Sequence, residues 1–159
     1  MINAKFRWDA SIFTSKMGNL GTKLIPYAKV TFAQLADEAR RRVKAYTPPT
    51  KGTNIRELWE IEHSSRGTIE EYIIHNLYEN QDVILFFEVG TKPHQIRPRK
   101  AGYPLHWLDE DTGAHMFAYL VRHPGTPAYR MIEQGERETE VLLNQYIQQT
   151  LSMIGRGMS

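Results

Sequence analysis

The chain has 159 residues, 41% hydrophobic and 24% charged, close to the averages of folded domains, which excludes wholesale disorder and argues for one domain. Twenty Lys and Arg against eighteen Asp and Glu leave a formal charge of +2, too small a bias to name nucleic acid as the main partner. There is no cysteine, which removes disulfides, thiol nucleophiles and thiolate metal sites together.

No run approaches the length of a membrane-spanning helix, and the opening Met1-Ile2-Asn3-Ala4-Lys5-Phe6-Arg7-Trp8 lacks the apolar centre of a signal peptide. Neither a membrane partner nor secretion is expected. Residues 2–8 alternate strictly, with Ile2, Ala4, Phe6 and Trp8 on one side and Asn3, Lys5 and Arg7 on the other, which predicts a half-buried strand. Asp9 is expected to cap a short helix through Met17, ended by Gly18, Asn19 and Gly21. Pro26 opens a second helix over about 27–46, with the stripe Phe32, Leu35/Ala36, Ala39, Val43 and Tyr46. Arg40, Arg41, Arg42 and Lys44 fall late in it, where cations suit the negative end of the helix dipole.

Thr47-Pro48-Pro49-Thr50-Lys51-Gly52-Thr53-Asn54 reads as a turn or open loop and is expected to be mobile. Three strands are expected next, at about 57–63, 69–78 and 82–89, joined as hairpins through Ser64–Thr68 and Glu79-Asn80-Gln81. The second carries apolar residues on both faces, which predicts a central strand covered on both sides. Residues 90–101 hold Pro93 and Pro98, so they allow at most an edge strand or a projecting, mobile loop. Leu105–Leu108 and His115–Val121 predict another hairpin, turning at 109–113. His123-Pro124-Gly125-Thr126 fits a type II turn with positive φ at Gly125. Thr126 is then expected to cap a last helix with Pro127 in its first position, running to about 153 on a stripe of Ile132, Leu142/Leu143, Tyr146 and Leu151. The expected fold class is α+β: an antiparallel sheet packed by a long N-terminal helix and a C-terminal helix, with projecting loops. Residues 1–154 form the domain and 155–159 a flexible tail.

Six histidines invite a metal or catalytic reading, but no two stand four apart on a helix. Asp109-Glu110-Asp111-Thr112-Gly113 opens like a calcium loop, yet Leu120 stands where the twelfth-place glutamate belongs. Glycine-rich phosphate loops and a Gly-x-Ser-x-Gly elbow are absent. A metal-free nuclease built on His94 or His123 with Arg97 is the chemical alternative, since phosphoryl transfer needs little beyond placed cations and a base. Trp59 and Trp107, in strand patterns, are expected in the core rather than as base-stacking platforms. No catalytic residue, metal or cofactor is assigned.

Two segments are specific. Phe86-Phe87-Glu88-Val89-Gly90-Thr91-Lys92-Pro93-His94-Gln95-Ile96-Arg97-Pro98 is followed, about two dozen residues on, by Val121-Arg122-His123-Pro124-Gly125-Thr126. In that order they resemble the small neck or minor-tail proteins of long-tailed bacteriophages, the head–tail-joining and tail-completion family. That family has a Glu-aromatic/aliphatic-Gly-Thr segment, then His-x-Ile-x-Pro, and later His-Pro-Gly-Thr before the final helix. The resemblance spans about residues 2–150, and its specific part is 86–98 and 121–126. The family's Pro-Phe-(Leu/Met)-Arg-Pro segment is replaced here by Thr126-Pro127-Ala128-Tyr129-Arg130-Met131, with Tyr129 as the aromatic substitute.

The resemblance implies a non-enzymatic virion protein, assembled in the bacterial host cytoplasm and placed at the junction of head and tail. It implies a homo-oligomeric ring, hexamer or dodecamer, against head-completion or adaptor and tail-terminator proteins, with DNA contact at most through the channel. Candidate interface residues are Lys92, His94, Arg97, Arg99, Lys100, Arg122, His123 and Thr126, and the turn residues are Gly90, Thr91, Pro124 and Gly125. The alternatives are a nucleic-acid-binding or nuclease domain of a mobile element, a small enzyme using the histidines, and an unrelated structural module.

Overall fold

The computed structural model describes residues 3–9, 11–50, 52–67, 69–109 and 111–157. In chain order these form β1 (Asn3–Asp9), α1 (Ser11–Tyr46), a single 3-10 turn (Ile55–Leu58), β2 (Trp59–Arg66), β3 (Ile69–Asn76), α2 (Gln81–Val89), β4 (His94–Ile96), β5 (Leu105–Leu108), β6 (His115–Ala118), β7 (Val121–His123) and α3 (Met131–Gly157). The class is α+β, with three helices and small antiparallel sheets. The Ile2 and Lys51 positions of the expected strand and loop, and the last two residues of the expected tail, lie outside the described residues.

A three-stranded sheet in the order β1-β3-β2 places β3 at the centre, in the register Ala4↔Ile74↔Ile61. Its Glu70, Tyr72, Ile74 and Asn76 are buried, alternating with half-buried neighbours as a two-residue period requires. Contrary to expectation, no helix or second sheet among the described residues packs on its other face, where Lys5 on β1 pairs with Glu71 at 2.8 Å. The sequence made both faces look apolar because Ile69 and Ile73 share that outer face with Glu71.

α1 crosses the buried face of the sheet and α3 packs along α1. Leu35, Ala36, Ala39 and Val43 are buried, as the stripe predicts. The helix is continuous through Gly18, Gly21 and Pro26, where the sequence predicts a break. Such residues cost roughly 1 kcal/mol for glycine and 3 for proline, whereas a break would leave two further helix ends with unmade backbone hydrogen bonds. α1 ends where Pro48 cannot continue it. The Thr47 N–H donates to Val43 O at 3.0 Å and the Thr47 hydroxyl to the same oxygen at 2.7 Å.

The expected loop is present and largely exposed at Pro49 and 52–54, but its first two residues, Thr47 and Pro48, are buried. Trp59 Nε1 donates to Thr47 Oγ1 at 2.8 Å, and Arg56 donates to Thr47 O from Nε at 2.9 Å and Nη2 at 2.6 Å. Composition marks this segment as a loop but does not show that two side chains downstream hold its first residue. The core gathers Ala39, Val43, Ile55, Trp59, Ile74, Ile84 and Met131, and each large member contributes about 1.5–3 kcal/mol by leaving water.

The expected third strand is a helix. Val83-Ile84-Leu85-Phe86-Phe87 suits either state by composition, and a short apolar run has no period that decides. The ends decide it. Asn80 Oδ1 accepts from the Asp82 N–H at 3.2 Å, and Gly90, at φ +73°, donates its N–H to Phe86 O. β5 and β6 pair as expected in the register His106↔Phe117, but Val121 belongs instead to β7, which pairs with β4.

Candidate interaction site

Residues 91–126 leave the body of the domain and return to it as a projecting arm. Its base is a joint between the two sequence segments singled out above. Thr91 N–H donates to Thr126 O at 2.8 Å, and Thr126 N–H donates back to Thr91 O at 3.2 Å and to Thr91 Oγ1 at 2.9 Å. Each strand of the joint carries a glycine because the chains touch there. A Cβ on Gly90 would stand 2.8 Å from Thr126 O, and one on Gly125, whose φ is +89°, would stand 2.3 Å from Thr91 O.

Above the joint, β4 and β7 pair in register, so that His94 of one segment lies directly across from His123 of the other. The two imidazoles stack with centroids 5.0 Å apart. His123 Nδ1 accepts the Gly125 N–H at 3.1 Å, while His94 Nδ1 donates to Lys92 O at 2.9 Å. Nδ1 therefore accepts in one ring and donates in the other, each set by its own turn.

Below the joint, Glu88 connects the arm to α3. Its carboxylate accepts from the N–H groups of Ile132 at 2.9 Å and Glu133 at 3.2 Å, capping the helix from 44 residues away in sequence. The expected cap at Thr126 and first position at Pro127 are therefore wrong: α3 begins at Met131, and Thr126 is held by Thr91. Tyr129 N–H donates to Phe87 O at 2.7 Å, and its ring meets Phe87 edge-on at 5.8 Å. The substitute aromatic has a partner in the first segment. Sequence reasoning gave Glu88 no role, although an acid placed beside the Gly-Thr turn was its visible signal.

The candidate interface residues separate into two groups. Lys92, His94, Arg97, Arg99, Lys100 and Arg122 are exposed along the arm, while His123 and Thr126 are half-buried in its base. Lys100 lies over the Tyr103 ring at 4.5 Å, and Arg97 Nη2 donates to Gln95 Oε1 at 3.1 Å. The far turn is closed by Asp109, whose carboxyl is held below the usual range by the Thr112 hydroxyl and N–H that donate to it. The basic run on α1 is engaged elsewhere: Arg42 pairs with Glu38 and Glu138, Arg40 and Arg41 with Asp37, and Lys44 with Glu57. Trp59 is buried as expected, but Trp107 is 40% exposed on the hairpin.

Among the described residues, no group of three or more His, Asp or Glu is placed to hold a metal ion, and no helix is long and apolar enough to cross a membrane. Comparison with protein-family models, with curated proteins and with solved structures finds no match.

Proposed function

We propose that this chain is a structural component of a bacteriophage head–tail connector, acting as a homo-oligomeric ring that joins the filled head to the tail. One observation carries the proposal: the two segments that resemble the neck and tail-completion family, 35 residues apart at Thr91 and Thr126, form a single unit in space. His94 meets His123, Gly90 and Gly125 close on the opposing backbone, and Glu88 fastens the unit to α3. The two segments meet at their threonines, their glycines and their histidines, the positions that carry the resemblance. The role is bridging, in which a projecting arm on a fixed base presents exposed cations to neighbours, and no catalysis is assigned.

The test is deletion of the gene in a phage that carries it. Filled heads and finished tails that accumulate unjoined, with DNA synthesis and lysis unchanged, is the expected result. Joined and infectious particles without the protein would overturn the proposal, and loss of DNA replication would favour a nucleic-acid role. Charge reversal at Arg97 and Arg99 is expected to reduce joining and to make it more salt-sensitive, since exposed cross-chain pairs are screened.

A further inference from the structure

The β5–β6 hairpin is an anomaly in a monomer. Two strands without a third strand or a helix against them are marginal in water, and this pair packs on neither the three-stranded sheet nor any helix to a substantial extent. Its apolar side chains nevertheless point outward on both faces, with Trp107 40% and Met116 41% exposed on one and Leu108 55% and Phe117 62% on the other. With the adjoining Tyr119 and Leu120 they leave on the order of 600 Å² uncovered over the two faces together, so a partner seated on one face covers part of it and the remainder of the roughly 800 Å² of a stable interface comes from the arm beside it.

A second unpartnered surface lies on the body. α2 buries Ile84 but leaves Leu85, Phe86 and Val89 exposed on one stripe. The two surfaces differ in their rims. Exposed Glu79 and Asp82 border the α2 stripe, whereas exposed Arg97, Arg99, Lys100 and Arg122 stand on the arm beside the hairpin. Apolar centres of similar character with opposite charge at the edge are what a matched pair requires.

We infer that the hairpin of one copy docks on the α2 stripe of a second copy of this chain. The contact joins two different patches, so it is heterologous, and it repeats from copy to copy until a ring closes. The closure into a ring rests on the connector function proposed above, whereas the contact itself does not.

Sedimentation velocity on the purified full chain tests it, using a hairpin variant, Trp107→Glu with Phe117→Glu, and an α2 variant, Phe86→Glu. Wild type is expected to sediment as an oligomer, and each variant alone to associate at least tenfold more weakly with an unchanged far-ultraviolet spectrum. Should Phe86→Glu disturb the fold, Val89→Asp replaces it, at a residue 62% exposed. An equimolar mixture of the hairpin and α2 variants keeps one intact interface per pair and is expected to form dimers and nothing larger. A monomeric wild type, a folded variant that assembles like wild type, or a mixture that stays monomeric would each overturn the inference, and monomers that bind anionic vesicles instead would assign the hairpin to lipid. Failure here with a phage that needs the protein for joining leaves the connector role standing. Assembly through these surfaces, with a phage that joins without the protein, removes the role and keeps the contact.

Discussion

Gly125 and Glu70 are two residues whose neighbours dictate their identity. Gly125 takes φ +89° within a backbone crossing where Thr91 O would lie 2.3 Å from any Cβ. Positive φ alone costs a bulky residue on the order of 1–3 kcal/mol, and here the obstructing atom is main chain and cannot rotate aside. Gly125→Val is therefore expected to cost about 3 kcal/mol or more in a urea melt, and a variant as stable as the parent would refute the joint. Glu70 is a carboxylate only 2% exposed. Burial by itself would raise its pKa, but Lys29, His63 and Ser65 donate to it and hold it at about 2 instead of 4.5. Because the folded value is the lower one, this contribution is complete above pH 4.5 and is lost as pH falls from there toward 2. Lys29 and His63 keep contact with solvent, so the loss is about 1–3 kcal/mol. Wild type should lose that stability progressively between pH 5 and 2, and Glu70→Gln, already weakened at pH 7, should show a flatter pH profile.

Helices, strands and their contacts were legible in proportion to how locally their causes act. The stripe of α1, the β2–β3 hairpin and the β5–β6 pairing follow from spacing and turn residues within each segment, whereas β3 is central without the second covered face on which that expectation rested. α2 did not, because its apolar run carries no period and its state rests on Asn80 and Gly90 at its ends. The start of α3 did not either, since its cap, Glu88, comes from another element. In the site, the two segments and their glycines were legible, whereas their mutual pairing and the exposure of Trp107 were set by folding. Gly135 shows the same limit. It interrupts the apolar stripe of α3 in sequence, yet it is buried where α3 crosses α1, with Val43 Cγ2 2.6 Å from where a Cβ would stand. Alanine normally stabilises a helix interior over glycine by about 1 kcal/mol. Here Gly135→Ala is expected to destabilise by about 1–3 kcal/mol through overpacking. Val43→Ala should make room, so the double variant is expected to lose clearly less than the sum of the singles. Additive losses would place the two residues out of contact.

At the scale of the whole molecule, a body with one continuous core carries an arm that shares none of it. Burial is concentrated in α1, the 3-10 turn with Trp59, β3 and the first turns of α3, whereas nearly every residue from 92 to 120 is exposed or half-buried. Local opening free energies follow such differences in packing, and an isolated hairpin sits at the low end. The arm is not uniformly loose, because Thr91 and Thr126 bond each other at its base and Glu88 fastens that base to α3. In hydrogen exchange on dilute protein, amides of 105–108 and 115–118 should therefore exchange fast, while those of Thr91, Thr126 and β3 stay protected. Raising the protein concentration changes only the first group if a second copy covers the hairpin. Ligand binding adds RT ln(1 + [L]/Kd), so at about a hundredfold above the dissociation constant the hairpin amides should slow by about a hundredfold. The Thr91 and Thr126 amides should hold their rates, since their bonds are internal to one chain. Hairpin exchange that ignores concentration would mean that nothing covers β5 and β6 in a second copy. Concentration-dependent protection spread evenly over β3 and the hairpin would mean association through some other surface.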